Sequence, residues 1–170
     1  MSDSIPSAQM RIEGLYRYVT VKKPLYILII VTAIVVLDQI TKYLVSTSIS
    51  PFDSVEILPF LHIVNIQNTG AAFGMFKNLG GNVFIGLSAV AVIFIIWLLV
   101  KSTYSQFGLS LLLGGAIGNL IDRILFGKVV DFIDVSVGKY HWPAFNVADS
   151  AITVGIILFV YHIITKPMPQ

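Results

Sequence analysis

The sequence predicts an all-α polytopic membrane protein with four transmembrane helices and a small extracytoplasmic antiparallel sheet. Of its 170 residues, 56% are hydrophobic and only 12% are charged, whereas about a quarter of a soluble domain is usually charged. Four apolar stretches are long enough to cross a bilayer, and a β-branched segment lies between the first two. We therefore treat residues 1–170 as a single membrane domain, with an extension at residues 1–24.

The apolar stretches define four predicted spans, which cover residues 25–44, 83–100, 107–126 and 147–164. A helix needs roughly 20 residues to cross the hydrocarbon layer. Each run is longer than a barrel strand and does not alternate, so helices are favoured. The first span is expected to be a retained anchor, because no small-residue cleavage site follows it.

Basic residues predict the orientation of the spans, since cytoplasmic loops carry an excess of lysine and arginine. Arg11, Arg17, Lys22 and Lys23 precede the first span. Both termini should therefore be cytoplasmic, and the loops at 46–82 and 127–145 should face outward.

The first outer loop predicts the sheet. Two segments rich in β-branched residues, 55–58 and 61–66, are separated by Pro59 and followed by the turn sequence Asn68-Thr69-Gly70. We expect a small antiparallel sheet on the outer membrane surface. The second outer loop carries Asp131 and Asp134, for which a solvated loop carboxylate is the ordinary structural alternative to a functional role.

Polar residues collect at the outward ends of the spans, near one depth. Ionisable residues within a membrane protein are functional candidates by default. Those that share this level are Asp38, Lys42, Asn65, Asn68, Asn119, Asp122, Arg123, Asp131, Asn146 and Asp149. Their confinement to one zone indicates a functional site.

Structural roles explain several of these residues equally well. Asp38 and Lys42 have the spacing of a helix ion pair, and Asn146 and Asp149 are good helix-capping types. Asp122 could form an ion pair with Lys128. The Gly114 and Gly118 pair is typical of close helix packing.

Composition and spacing argue against several other classes. A net charge of +2 gives no reason to expect a nucleic acid partner, and the absence of cysteine removes disulfides and thiolate ligands. His62, His141 and His162 are widely separated, so no metal is expected. His141 is typical of an interfacial aromatic anchor beside Tyr140 and Trp142.

Five blocks of the sequence resemble one family. They are LDQITK (37–42), NTGAAFG (68–74), GGAIGNLIDR (114–123), VVDF (129–132) and FNVADS (145–150). In this order they resemble the lipoprotein signal peptidases (signal peptidase II), aspartic peptidases of the bacterial inner (plasma) membrane. The resemblance implies four transmembrane helices with a β-cradle and a catalytic pair, Asp131 and Asp149. It implies substrate-binding or supporting roles for Asp38, Lys42, Asn68, Gly70, Asn119, Arg123 and Asn146.

The implied reaction cleaves a prolipoprotein before its diacylglyceryl-modified cysteine, near the outer face of the membrane. Two carboxyls that share one proton can supply the base and the acid for this hydrolysis without a metal or other cofactor. Small residues from Gly70 to Gly74 would let the loop approach the substrate. Membrane lipid is the other expected partner, and the enzyme is expected to be a monomer.

Two further functions stay open from the residues alone. Lys42 and Ser46 have the spacing of a serine–lysine peptidase, in which the lysine acts as general base. Asp38, Asp122 and Arg123 could instead belong to the relay of a small ion or proton transporter, although the inner halves of the spans contain no titratable residues to complete it.

Overall fold

Four helices and a four-stranded sheet make up the described part of the chain. The computed structural model describes residues 8–70, 81–101 and 105–165. The helices are α1 (Ala8–Ser48), α2 (Gly81–Lys101), α3 (Gln106–Phe126) and α4 (Val147–Thr165). The strands are β1 (Ser54–Leu58), β2 (Leu61–Asn68), β3 (Val129–Val137) and β4 (Tyr140–His141).

The four predicted spans are confirmed as helices. The segments long and apolar enough to cross a membrane are Pro24–Ser48, Gly81–Lys101, Gln106–Phe126 and Val147–Thr165. They begin or end within four residues of the predicted bounds, because the apolar runs themselves set the helix lengths. The helix α1 begins upstream of its apolar segment, at Ala8.

Helix α3 occupies the centre of the bundle and packs against α1, α2 and α4. Ten of its 21 residues are buried, whereas α2, α4 and the part of α1 from Pro24 onwards expose most of their apolar side chains. Those exposed side chains form the surface that a bilayer would cover.

Glycines allow α3 to approach its neighbours closely. A Cβ atom on Gly114 would lie 2.9 Å from Ile34 Cβ, and one on Gly118 would lie 2.7 Å from Asp38 Oδ2. A Cβ on Gly115 would collide with the carbonyl oxygen of Ala148 on α4. The prediction that Gly114 and Gly118 serve close helix packing is confirmed, and the contact brings α1 and α4 to the same end of α3.

The antiparallel sheet is confirmed, with strand order β1-β2-β3-β4. The hairpin β1–β2 was predicted, whereas β3 and β4 were not. Asp131 and Asp134 therefore lie on a strand rather than in a loop, and both are buried, so the alternative of solvated loop carboxylates is wrong. In a sequence, an isolated aspartate is typical of a loop. In this structure, residues of other elements form hydrogen bonds to both carboxylates.

The chain changes direction after α3 and again before α4, and these two changes bring the candidate residues together. Gly127 adopts the left-handed conformation, with φ 68°, and its N–H bonds to Arg123 O at 3.1 Å. This ends α3 and sends the chain directly into β3, which carries Asp131. Asn146 then precedes α4, whose first turn carries Asp149.

The contact at Gly115 predicts that Gly115→Ala weakens the protein. The added methyl group must push α4 away from α3, which should lower the free energy of unfolding by about 1–3 kcal/mol. Gly86→Ala on α2 is the matched control, because a Cβ there meets nothing within 4 Å. Thermal unfolding in detergent micelles measures both. Equal midpoints for the two variants would contradict the close packing.

Candidate active site

A cavity of about 580 Å³ lies where β3 meets the ends of α3 and α4. Its polar side is defined by the lining residues Asn68, Asn119, Arg123, Asp131 and Asp149. Its apolar side is defined by the lining residues Val129, Trp142, Pro143, Ala144, Phe145, Ile152 and Val154. The cavity therefore contains two carboxylates beside apolar side chains.

Asp131 is held by two side-chain amides. Asn68 Nδ2 donates to its Oδ2 at 3.0 Å, and Asn146 Nδ2 donates to its Oδ1 at 2.7 Å. The pKa of Asp131 is raised to about 6, mainly by burial and to a smaller extent by the nearby Asp149 charge, while the two amide bonds act in the opposite direction. This carboxyl is thus able to hold a proton near neutral pH.

Asp149 closes a reciprocal cap at the start of α4. Its backbone N–H donates to Asn146 Oδ1 at 2.9 Å, and its Oδ2 accepts from Asn146 N at 3.3 Å. Asn119 Nδ2 donates to its Oδ1 at 2.8 Å. The expected capping role is confirmed, and the same geometry turns the Asp149 carboxylate towards the polar cavity.

Asn146 connects the two carboxylates. Its side chain is fully buried and bonds to Asp131 through Nδ2 and to the Asp149 N–H through Oδ1. Both aspartates are therefore fixed by one rigid group, although they come from a strand and a helix.

Each of the other two asparagines has its amide oriented by a second contact. Asn68 Oδ1 accepts from Gly70 N at 3.0 Å, so its Nδ2 is left to face Asp131. Asn119 Oδ1 accepts from Lys42 Nζ at 3.0 Å, so its Nδ2 faces Asp149. The polar side of the cavity thus presents donors to both carboxylates, which favours negative charge there.

A buried ion cluster lies behind this site. Lys42 Nζ is 2.7 Å from Asp38 Oδ2 and 2.7 Å from Asp122 Oδ2. The second contact is an ion pair without the alignment of a hydrogen bond. Asp38 Oδ1 accepts from Ala148 N at 2.9 Å. The predicted Asp38–Lys42 pair is confirmed, and it ties α1 to α3 and α4.

The alternative partner considered for Asp122 is wrong. Asp122 is buried and bonds to Lys42 and Gln39, whereas Lys128 Nζ donates to Gln67 Oε1 at 2.7 Å. Asp122 faces α1 inside the bundle, while Lys128 follows the end of α3. The spacing of Asp122 and Lys128 in the sequence did not predict whether Asp122 pairs with Lys128 or with a residue of another helix.

Gln39 is a member of the cluster to which the sequence assigned no role. Its Nε2 donates to Asp122 Oδ1 at 2.9 Å and lies 3.3 Å from both Asp38 Oδ2 and Gly118 O. Its position beside Asp38 in the LDQITK block was the available indication. The cavity wall at 142–145 was also missed, because it depends on pairing with β3.

The serine–lysine arrangement does not form. Lys42 Nζ donates to Asp38 and Asn119 and forms an ion pair with Asp122. Ser46 Oγ donates instead to Tyr43 O at 3.0 Å. The structure therefore overturns Lys42 as the base for a serine nucleophile.

His141 contacts Asp134 rather than acting only as a surface anchor. Its Nδ1 lies 2.9 Å from Asp134 Oδ2, and its ring centroid is 6.3 Å from that of His62. Within the described residues, no group of three histidine, cysteine or acidic side chains has the geometry to hold a metal ion. Residues 71–80, including Gly74, lie outside the described part of the chain.

The fold and the site together define an integral membrane enzyme suited to acid–base chemistry at the end of a helix bundle. The family model described as Signal peptidase (SPase) II matches residues 30–165. The chain belongs to this family, so it is a multi-pass bacterial membrane peptidase, and the family assignment supports signal-peptide removal from prolipoproteins.

Individual relatives agree with this assignment. The chain is 51% identical to the lipoprotein signal peptidase of Thermodesulfovibrio yellowstonii, over 78% of this chain and 90% of the relative. It is 44% identical to that of Desulforapulum autotrophicum, over 82% and 91%. A solved structure described as a bacterial membrane enzyme at 2.3 Å resolution superposes with a TM-score of 0.76 at 35% identity, covering 85% of this chain and 93% of that one.

The buried cluster predicts a large cost for Lys42→Met. The variant leaves Asp38 and Asp122 as two buried carboxylates without their cation, which should lower the free energy of unfolding by about 3–5 kcal/mol. Lys128→Met removes a half-buried lysine whose hydrogen bond is to Gln67 and is the control. Chemical unfolding in micelles compares the two, and similar stability losses would contradict the cluster's role.

Proposed function

We propose that this protein is an aspartic endopeptidase that removes signal peptides from diacylglyceryl-modified prolipoproteins, using Asp131 and Asp149 as the catalytic pair. The observation that carries the proposal is that both carboxylates line one cavity and accept hydrogen bonds from the same buried residue, Asn146, through its Nδ2 for Asp131 and its backbone N–H for Asp149. Family membership supports the peptidase activity and the prolipoprotein substrate.

The two aspartates take different roles in this mechanism. Asp131, with its pKa raised to about 6, holds the shared proton and donates it to the scissile carbonyl oxygen. Asp149 accepts a proton from water as the water attacks the carbonyl carbon. Asp149 then returns its proton to the leaving amine while Asp131 takes a proton back from a hydroxyl of the gem-diol, so the C–N bond breaks without a covalent enzyme intermediate.

The surrounding donors fix this pair and the substrate. Asn68, Asn119 and Asn146 hold the carboxylates, and Gly70 orients Asn68 through its backbone N–H. Arg123 lines the cavity and uses one nitrogen to donate to Asn119 O at 3.2 Å. Its remaining donors suit the backbone carbonyls of an extended substrate. Asp38 and Lys42 support the site from behind.

The two sides of the cavity suit a lipid-modified peptide. The scissile bond lies against the polar side, and the apolar side receives the region near the lipidated cysteine. Cleavage occurs before that cysteine, near the outer face of the inner membrane. Both termini are cytoplasmic in this proposal, and the enzyme acts as a monomer surrounded by lipid.

Replacing either catalytic aspartate should abolish cleavage. Asp131→Asn and Asp149→Asn each remove one acid–base group, so kcat should fall by about 10²–10⁴-fold or more. The substrate is a diacylglyceryl-modified prolipoprotein in micelles, with the unmodified form beside it. Asp53→Asn, at an exposed turn position, is the control and should retain activity. Near-normal turnover by either site variant would contradict the assignment of Asp131 and Asp149 as the catalytic pair.

The raised pKa of Asp131 predicts a decline of kcat/KM at alkaline pH. The acid must be protonated, so activity is lost as pH rises through about 6, by about tenfold for each further unit. The Asn68 bond lowers the pKa of Asp131, so Asn68→Ala should move the decline to higher pH. A flat profile between pH 6 and 8, or a shift to lower pH in Asn68→Ala, contradicts the role of Asp131.

A further inference from the structure

A row of ionisable side chains crosses the sheet away from the catalytic pair. Glu56 on β1 is the register partner of His62 on β2, which in turn is the partner of Asp134 on β3. His141 on β4 completes the row through its contact with Asp134. Asp131 and Asp134 are three residues apart on one strand, so their side chains point to opposite faces of the sheet.

The Asp134 carboxylate depends on His141. Asp134 is only 9% exposed, and a buried carboxylate is costly unless it is paired. His141 Nδ1 lies 2.9 Å and 3.1 Å from its two oxygens, while the His141 side chain remains 56% exposed. His62 Nδ1 is buried and has no hydrogen-bond partner among the described residues.

His141 is joined directly to the apolar wall of the catalytic cavity. That wall segment consists of residues 142–145, all of which line the cavity. Its ends are bonded to β3 on either side of Asp134. Trp142 N donates to Val135 O at 2.7 Å, and Phe145 N donates to Ile133 O at 3.1 Å. The side-chain contact between Asp134 and His141 therefore lies beside two backbone hydrogen bonds that connect the same segments. We call this side-chain contact the tie.

We propose that Asp134 and His141 are positioning residues that set the place of the wall segment, and thereby the fit of substrate in the apolar half of the cavity. The effect on substrate rests on the proposed function, whereas the tie itself does not. The tie should be stronger at mildly acidic pH, because imidazoles titrate between pH 5 and 8 and a bond from imidazolium to carboxylate is charge-assisted.

Other charges near His141 modulate this behaviour. His62 and Glu56 continue the row across β2 and β1, and Lys139 lies in the turn before β4. Protonated His62 and Lys139 oppose a charge on His141, whereas Asp134 and Glu56 favour it. Asp134 lies within hydrogen-bond distance of His141, at 2.9 Å, so this contact should dominate.

Fluorescence of Trp142 tests the tie without any catalysis. The chain has two tryptophans, so Trp97→Phe leaves Trp142 as the only reporter. Its emission should change between pH 5 and 8, and the change should be lost in Trp97→Phe/His141→Gln and reduced in Trp97→Phe/Asp134→Asn. The matched histidine control, Trp97→Phe/His162→Gln, should keep it. A transition that persists without His141 overturns the proposal.

Kinetics with the diacylglyceryl-modified prolipoprotein test the effect on substrate. At pH 6, His141→Gln and Asp134→Asn should each raise KM about tenfold, as expected for one lost hydrogen bond, with kcat within about twofold. The double variant should be no worse than the more impaired single variant. Additive losses, or a loss in kcat with unchanged KM, overturn the positioning role.

Two comparisons keep the proposals distinguishable. The fluorescence transition should also appear in Trp97→Phe/Asp149→Asn, which has no expected activity. An active Asp149→Asn enzyme with an intact transition would refute the catalytic pair and leave the tie standing. Thermal unfolding should show that His141→Gln is folded, so that its KM change reflects placement of the wall segment.

Discussion

The buried ammonium group of Lys42 is the contact on which the rest of the site depends. It lies between Asp38 of its own helix and Asp122 of α3, and its third contact is Asn119. Two helices that are distant in sequence, α1 and α3, meet there. The cost of burying these charges is offset only if all of them stay paired, so the helices are held in one relative position.

That position is passed to the cavity through directional bonds. Asp38 accepts the N–H of Ala148 and so fixes the first turn of α4, next to Asp149. Lys42 orients the Asn119 amide, which then donates to Asp149. The charged cluster does not line the cavity, yet it determines where a cavity carboxylate lies. Polar groups with every partner in place specify a unique arrangement in this way.

The sequence predicted the parts of the protein that depend on local pattern. Span lengths follow from uninterrupted apolar runs, and the Asp38–Lys42 pair and the Asn146–Asp149 cap follow from spacing within one helix. Local pattern did not predict the strand that carries Asp131 and Asp134. It also did not predict the partner of Asp122 or the cavity wall at Trp142. Each depends on contacts between distant segments, which a single sequence does not reveal. The family resemblance supplied the pairing of Asp131 with Asp149, which spacing alone left open.

The central place of α3 has a consequence for how the protein is assembled in the membrane. This helix carries Asn119, Asp122 and Arg123 near one end, and a charged residue at the centre of a lone span costs roughly 2.5–3.5 kcal/mol on insertion. Helix α1 is synthesised earlier and brings Lys42, so the counter-charge for Asp122 is already present when α3 emerges from the ribosome. The order of the helices along the chain thus gives the least lipid-compatible span a partner before it must leave the insertion machinery.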